Sequence, residues 1–485
     1  MKSLKNMVYF AYAIICNINQ TFHKGIFMSK KQILAIITVT LSFSLTMIDI
    51  SIVALALPSI NKELNFSTLS IQWVINAYLL IMAAFGLIGG KLSDMYQPKN
   101  VIITGLILFL LSSLGAFSSV NSYELVFFRA IQGFSCVFLA APGLKLLVEI
   151  FPKETVGKAM GIATGTAAIV LTFAPTLGGI IVEYLSWRYI FLINVPICLI
   201  AIACLFGTKE HEIKTTKHPL DIKGFISIVI ALFCLVFNIM ESKSLGYDSV
   251  IIISLFIIFI ISLISFIYIE KNTSHPLIDF KILANHKFIL SVIIAVLAQM
   301  QLISLVYWVM YFQNALLYNP AETGILFLPV YILLGVVGIF SGSIIQKIGP
   351  YKTLIFSITI LLITYLISLF LMPNKTYLSM LPALIGIGIA GTLLTNPLKL
   401  LVLESVPKEH TGIALGTMKN LQQISSTISL AILGAVISHY SLGATDIINA
   451  AYFGFYNVMI ILTIVAFITA FIIYYLNFIK IKYSI

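Results

Sequence analysis

Glu149-Ile-Phe-Pro-Lys-Glu-Thr-Val-Gly-Lys-Ala-Met-Gly161 returns 255 residues later as Glu404-Ser-Val-Pro-Lys-Glu-His-Thr-Gly-Ile-Ala-Leu-Gly416. Glu149, Pro152, Lys153, Glu154, Gly157, Ala159 and Gly161 all find their mates at that offset, as do Gly133 and Pro142 upstream (Gly388 and Pro397). Gly86-x-x-x-Gly90 recurs as Gly338-x-x-x-Gly342 at an offset of 252. A repeat with this period and kept order marks a duplicated folding unit. Both copies lie among apolar runs of roughly 18 to 25 residues, enough to cross about 30 Å of hydrocarbon as helix.

The composition agrees with burial in lipid: 60% of the 485 residues are hydrophobic, 10% are charged, and the mean hydropathy is +1.06. Backbone groups in lipid must be satisfied within the segment, so the runs read as helices and not as strands. Fourteen are expected, near 33–58, 72–92, 100–119, 122–148, 157–182, 189–206, 224–241, 249–269, 288–312, 323–345, 351–372, 377–403, 411–438 and 453–479. Six helices per repeat leave the pair at 224–241 and 249–269 as an insertion. The expected organisation is an N-terminal segment (1–32), a first bundle (33–206), inner loops with the inserted pair (207–287) and a second bundle (288–485). Residues 1–27 read as an upstream in-frame extension before Met28. Parallel repeats about an axis along the membrane normal are one architecture of secondary transporters.

The formal charge of +11 does not point to nucleic acid, because the basic residues are scattered through short loops. With the N-terminus inside, 24 Lys and Arg fall on the cytoplasmic side and 5 on the other, which places both termini in the cytoplasm. The excess of Lys, Ile and Asn suggests an AT-rich, bacterial coding sequence. Trp73, Trp187 and Trp308 fall at the outer interface and read as belt anchors. The five Cys lie in or beside apolar runs without metal spacing and read as packing residues. Gly386-x-Gly388-x-x-Gly391 has no strand before it and fails as a dinucleotide site. Gly157, Gly161 and Gly165 read as helix-packing positions. No nucleophile, base and orienter cluster marks an enzyme, and no cofactor is implied.

Of the 18 acidic residues, Asp49 is the one placed well inside a helix. A carboxylate at mid-membrane costs about 2.5–3.5 kcal/mol on insertion scales, so such residues are commonly paired and functional. At 1.5 Å per residue, Asp49 lies about 4–5 Å and Arg129 about 9 Å to the outer side of the midplane, so the two can meet. Burial favours the neutral carboxyl and a guanidinium favours the ionised one, so a small rearrangement between them would move a proton. Arg129 keeps its own charge and suits a fixed countercharge. A static ion pair joining two helices is the alternative. Gln132, Tyr78, Gln299, Gln301, Tyr307, Tyr311, Asn396, Asn420 and Gln423 are candidate linings of a cavity between the halves, with Lys419 and Gln422 beside them.

Several stretches together resemble the major facilitator superfamily, and within it the fourteen-helix drug:proton antiporter branch. The inner loop Gly90-Lys-Leu-Ser-Asp-Met-Tyr-Gln-Pro-Lys99 keeps Gly90, Leu92, Ser93, Asp94 and Lys99 of the superfamily motif. Met95, Gln97 and Pro98 depart from it, which thins the gating charge network that the resemblance implies. Met47-Ile-Asp-Ile-Ser-Ile-Val-Ala-Leu-Ala-Leu-Pro58 is similar to the branch's acidic first-helix motif, and Arg129-Ala-Ile-Gln-Gly133 matches Arg-x-x-Gln-Gly. Ala174-Pro-Thr-Leu-Gly-Gly179 is a partial antiporter motif that keeps Pro175, Gly178 and Gly179, while Val170 and Ala174 replace glycines. Trp187-Arg-Tyr-Ile-Phe-Leu-Ile-Asn-Val-Pro196 and Pro276-Leu-Ile-Asp-Phe280 also look like this branch. The resemblance implies a proton-coupled exporter of amphipathic compounds in the bacterial cell membrane, and with no extramembrane domain to suggest obligate partners a monomer is expected. A dedicated exporter of one metabolite, lipid or antibiotic is the alternative, and a non-transporting membrane sensor a further one.

Overall fold

A computed structural model describes residues 28–66, 70–208, 221–273, 285–407, 411–441 and 446–483, with the side chains at 87–88, 90–94, 153–154, 411–413 and 479–483 outside that description. The segment 1–27, the Pro276–Phe280 stretch and the side chains of Gly90 and Asp94 therefore lie outside the described residues.

The described chain is all-helical, and its helices fall where the apolar runs predict them. They are α1 (Lys30–Leu64), α2 (Trp73–Met95), α3 (Pro98–Ser118), α4 (Ser122–Ile150), α5 (Lys153–Tyr184), α6 (Tyr189–Phe206), α7 (Ile222–Leu245), α8 (Val250–Asn272), α9 (His286–Asn314), α10 (Pro320–Ile348), α11 (Pro350–Asn374), α12 (Tyr377–Glu404), α13 (Thr411–Ser441) and α14 (Ile447–Tyr483). Thirteen are long and apolar enough to cross a membrane, and α2, with a shorter apolar stretch, makes the fourteenth. The face where the lysines gather is termed inner below.

Two helix ends correct the sequence expectation. α1 runs through Pro58 to Leu64, where Asn65 caps it in the left-handed conformation (φ 51°). α14 starts at Ile447, six residues earlier than expected, after the Asp446 carboxylate caps the Asn449 amide. α4 breaks at Phe138 and Leu139, whose amides turn back to Ser135 and Cys136. Pro142 explains the break, since it has no N–H to give the Phe138 carbonyl.

α1–α6 pack as one bundle and α9–α14 as another. Across them, α5 packs on α10, α1 on the outer part of α9, and α2 on α13. The inserted α7 braces this last seam at its outer end. Trp73 Nε1 donates to Glu241 (2.8 Å), Asn76 Nδ2 to Met240 Sδ (2.9 Å), and Lys243 Nζ to the His439 carbonyl (2.8 Å). α8 leans on α7 and turns nearly all of its apolar surface outward to lipid, with Ile252, Phe266 and Glu270 its buried residues.

Trp187 and Trp308 are not lipid-facing belt residues. Trp187 (2% exposed) donates to Glu63 (2.6 Å), which also pairs with Arg188, and Trp308 is fully buried against Phe455. An outer interface position predicts an amphipathic ring at the headgroups, but helix packing placed these rings inward.

Candidate functional site

The first bundle carries a polar network with no exposed member. Asp49 on α1 is 3% exposed and Arg129 on α4 is 0% exposed, and Arg129 Nη1 pairs with Asp49 Oδ2. The same nitrogen donates to Gln132 Oε1 (2.8 Å), while Arg129 Nε donates to the Val74 carbonyl on α2 (2.8 Å). The guanidinium lies over the Tyr78 ring, 4.5 Å from its centroid, with Phe191 on α6 at 5.9 Å. Asn194 Nδ2 reaches Asp49 Oδ1 (3.3 Å), and Gln132 Nε2 donates to Ser113 Oγ on α3 (2.8 Å). Tyr78 Oη contacts the Thr46 carbonyl (3.2 Å) and Cys136 Sγ (3.0 Å). Five helices therefore converge on one charge pair, and Arg129 Nη2 is left without a hydrogen-bond partner. A buried donor left unsatisfied costs about 1–3 kcal/mol, so the surrounding packing must hold the guanidinium in place.

Local sequence makes this convergence possible. A Cβ on Gly133 would overlap the backbone carbonyl of Tyr78, so glycine alone lets α4 lie on α2 closely enough for Arg129 to reach Val74. Gly133→Ala is expected to destabilise the fold by about 1–3 kcal/mol through overpacking. It is also expected to cut transport severely, read as a lower thermal midpoint in detergent and slower efflux.

Five cavity-lining expectations change here. Tyr78 and Gln132 are fully buried and serve the charge pair, facing no cavity. Gln301 is also enclosed, donating to the Leu462 carbonyl (3.1 Å) and accepting from Tyr365 (2.8 Å) inside the second bundle. Tyr307 donates to the Leu430 carbonyl beside the outer α2–α13 seam, and Tyr311 stacks on Phe455 at 4.4 Å. These polar groups had closer partners within their own bundle or seam than at a cavity. Gln299, Asn396, Asn420 and Gln423 are half-buried. Gln299 donates to Ser426 (2.9 Å), Asn396 to Ser341 (2.8 Å), and Asn420 lies across the seam from Gly86. Asn194, Ser113 and Cys136 were missed as site residues. Asn194 carried a readable signal, a primary amide inside an apolar run; Ser113 and Cys136 carried none.

One face of α5 describes the seam between the bundles. In its outer half, Thr172 Oγ1 reaches the Tyr331 carbonyl (3.4 Å) and Thr176 Oγ1 donates to the Gly324 carbonyl (3.1 Å). A Cβ on Gly179 would overlap the Pro320 carbonyl, and one on Gly324 would stand 2.5 Å from the Pro175 carbonyl. Gly178 lies against Ile52 of α1, and a Cβ there would come within 2.8 Å of the Ile52 side chain, too close without a shift. Toward the inner end the same face carries Ala168, Gly165, Gly161 and Gly157, all exposed. None of those three glycines would meet an atom within 4 Å, nor would Gly342 or Gly416 on the other bundle. Gly157, Gly161 and Gly165 are thus not packing positions here: the helices they would serve stand apart. Among the described residues, the inner halves of α4 and α12 share no substantial contact. The seam is therefore packed along the outer half of α5 and parts toward its inner end, and the opening there is termed the cavity below. Of the loop motif, Lys99 Nζ donates to the Thr208 carbonyl after α6 (3.0 Å), tying the loop within its own bundle.

Residues 39–430 match the profile of the Major Facilitator Superfamily. The chain is 27% identical over 421 residues to multidrug resistance protein Stp of Mycobacterium tuberculosis, covering 85% of this chain and 77% of that one. It is 28% identical over 404 residues to multidrug resistance protein 3 of Bacillus subtilis, covering 82% and 78%. It is 25% identical over 407 residues to the tetracenomycin C resistance and export protein of Streptomyces glaucescens, covering 83% and 75%. Among solved structures, a bacterial homologue of the lysosomal transporter Spinster in an inward-facing, unoccupied conformation superposes with a TM-score of 0.67 at 13% identity, covering 94% of this chain and 99% of that one. That likeness concerns the fold alone. A membrane-embedded duplication whose two bundles part at one face, matched over most of its length by that profile, places the chain in the major facilitator superfamily, as a transporter and not an enzyme.

Proposed function

We propose that the chain exports amphipathic compounds from the cytoplasm in exchange for protons, by rocking of the two bundles about the seam. The observation that carries this reading is the sealed Asp49–Arg129 pair in a bundle whose neighbouring cavity opens at one face only. Protonating Asp49 would release Arg129 from it, loosening five helices at once. The pair is buried away from the cavity, so the proton and the cargo would act through bundle shape and would not compete for one carboxylate. The proton supplies the work, about 2.3 kcal/mol for each charge crossing 100 mV. The lysine bias supports an orientation with both termini and the open face in the cytoplasm. Relatives named for multidrug resistance and for tetracenomycin export favour outward transport, and the second of these also favours a dedicated exporter as an alternative.

Efflux of a panel of amphipathic dyes, ethidium included, from cells expressing the chain tests the reading. Export is expected to stop when a protonophore collapses the gradient. Export that continues undiminished would remove proton coupling.

A further inference from the structure

Two lysines stand on the cavity wall well inside their helices. Lys399 is five residues from the inner end of α12, and Lys419 is eight residues inside α13, so they lie about 7 and 12 Å along the helix axes. Both are exposed although they lie within membrane-spanning segments. Lys419 shares its helical face with Gly416, which looks into open space, and with half-exposed Gln423. Lys399 shares a face with Thr395 and Asn396, and its Nζ donates to Asn396 Oδ1 (3.1 Å). α12 and α13 are joined through one inner loop and pack on each other, so the two lysines stand at similar depth on neighbouring helices of the second bundle.

Among the described residues neither lysine has a carboxylate partner. Asp49, deep inside the first bundle, is sealed and committed to Arg129. The inner half of α5 offers Gly157, Gly161, Gly165 and Ala168, exposed small groups without charge, on the face that packs against α10 farther out. Topology alone calls for lysines in loops and at helix ends, where they meet bulk water. A like-charged pair inside the span is repulsive, and it lacks the partner that intramembrane charges ordinarily keep.

We propose that this pair is the counter-charge for the cargo, and that the cavity takes an amphipathic anion: one carboxylate, sulfonate or phosphate head on an apolar body. This rests on the export reading above and names its substrate class. The head would lie between Lys399 and Lys419, with Asn396 and Gln423 at its flanks, and the body along the glycine face of α5. A lipophilic cation would meet two positive charges, whereas the half-buried carboxylate of Glu149 on α4 stands one helical turn from Lys145. An anionic phospholipid head has the same chemistry as a dissolved anion, so the bilayer is a second source of ligand.

The test uses purified full-length protein, with taurocholate as the anionic probe and tetraphenylphosphonium as the cationic one. Binding is read by equilibrium dialysis in phosphatidylcholine nanodiscs, and transport by uptake into inverted vesicles under an imposed proton gradient. Wild type is expected to bind and move taurocholate in preference to the cation. Lys399→Gln with Lys419→Gln is expected to weaken taurocholate binding and raise its KM at least tenfold, while Lys399→Arg with Lys419→Arg keeps both within about threefold. Competition by added phosphatidylglycerol, lost in the Gln pair, would support the anion site with lipid as its occupant. Preference for the cation, or unchanged taurocholate binding in a Gln pair that elutes as a folded monodisperse protein, overturns the proposal. Lysine-dependent binding without any driven uptake would support the anion site while refuting export, so the two failures are distinguishable.

Discussion

Asp49→Asn is expected to abolish proton-driven export while leaving a chain that inserts and folds. Asn keeps the shape of the side chain and an acceptor for Arg129, but it cannot gain or lose a proton, so the trigger is removed and the helix contacts around it are retained. The remaining Arg129 charge would be uncompensated at 0% exposure, and breaking a buried pair in this way costs about 3–5 kcal/mol. Stability is therefore measured alongside efflux. A second variant, Asp49→Asn with Arg129→Gln, removes both charges and should recover much of the lost stability without recovering transport. Gradient-driven efflux at the level of vector controls in both variants is the expected result. Full export by a stably folded Asp49→Asn chain would reduce the pair to a structural tie between α1 and α4.

Gly179→Val should nearly silence transport for a different reason, by denying the outer seal. The Cβ at this position collides with the backbone carbonyl of Pro320, which cannot rotate away as a flexible side chain would. The bundles must part at that face, at an overpacking cost of about 1–3 kcal/mol. A penalty of about 2 kcal/mol confined to the state closed outside shifts its population relative to the other roughly thirtyfold. Each bundle keeps its own core, so expression should hold. The readout is labelling of Gly161→Cys by a water-soluble maleimide from the inner side, in a chain whose five native cysteines are serine. Gly161 meets nothing within 4 Å and should label readily. Adding Gly179→Val should slow labelling at least tenfold as the inner cavity closes. Unchanged labelling would mean that the outer seam bears no part of the equilibrium.

The same contrast explains the glycines of α5. Their inner stretch meets open space because the bundles are apart there, and its small side chains leave room for the other bundle to approach when the cavity closes inside. Small residues on a bundle-facing surface permit close backbone approach in one state at no steric cost in the other.

How much of this was readable beforehand depended on the range of the interaction. Asp49 announced itself because one carboxylate in a long apolar run has a large solvation penalty, and Arg129 because its depth matched. Asn194 needed the fold: an amide in an apolar helix signals a partner without naming it. Ser113 and Cys136 resemble many other small residues, and only convergence of helices separates them from ordinary packing. The failed cavity assignments of Tyr78, Gln132, Gln301, Tyr307 and Tyr311 have one cause. Polarity in a helix says that a partner exists, and in all but one of these cases the partner was a group in the same bundle or seam. Tyr311 Oη has no hydrogen-bond partner, and stacking on Phe455 holds that ring instead.

By itself the sequence determined the membrane class, the fourteen helices and the duplication with its inserted pair, because hydrocarbon thickness and backbone satisfaction act along the chain. Tertiary structure decided which face the bundles close on, which polar groups meet Arg129, and that Lys399 and Lys419 stand exposed at similar depth on neighbouring helices. Those outcomes depend on the relative rotation and tilt of helices far apart in sequence, and on steric fits as local as a missing Cβ at Gly133 or Gly179, which hydropathy and spacing do not encode.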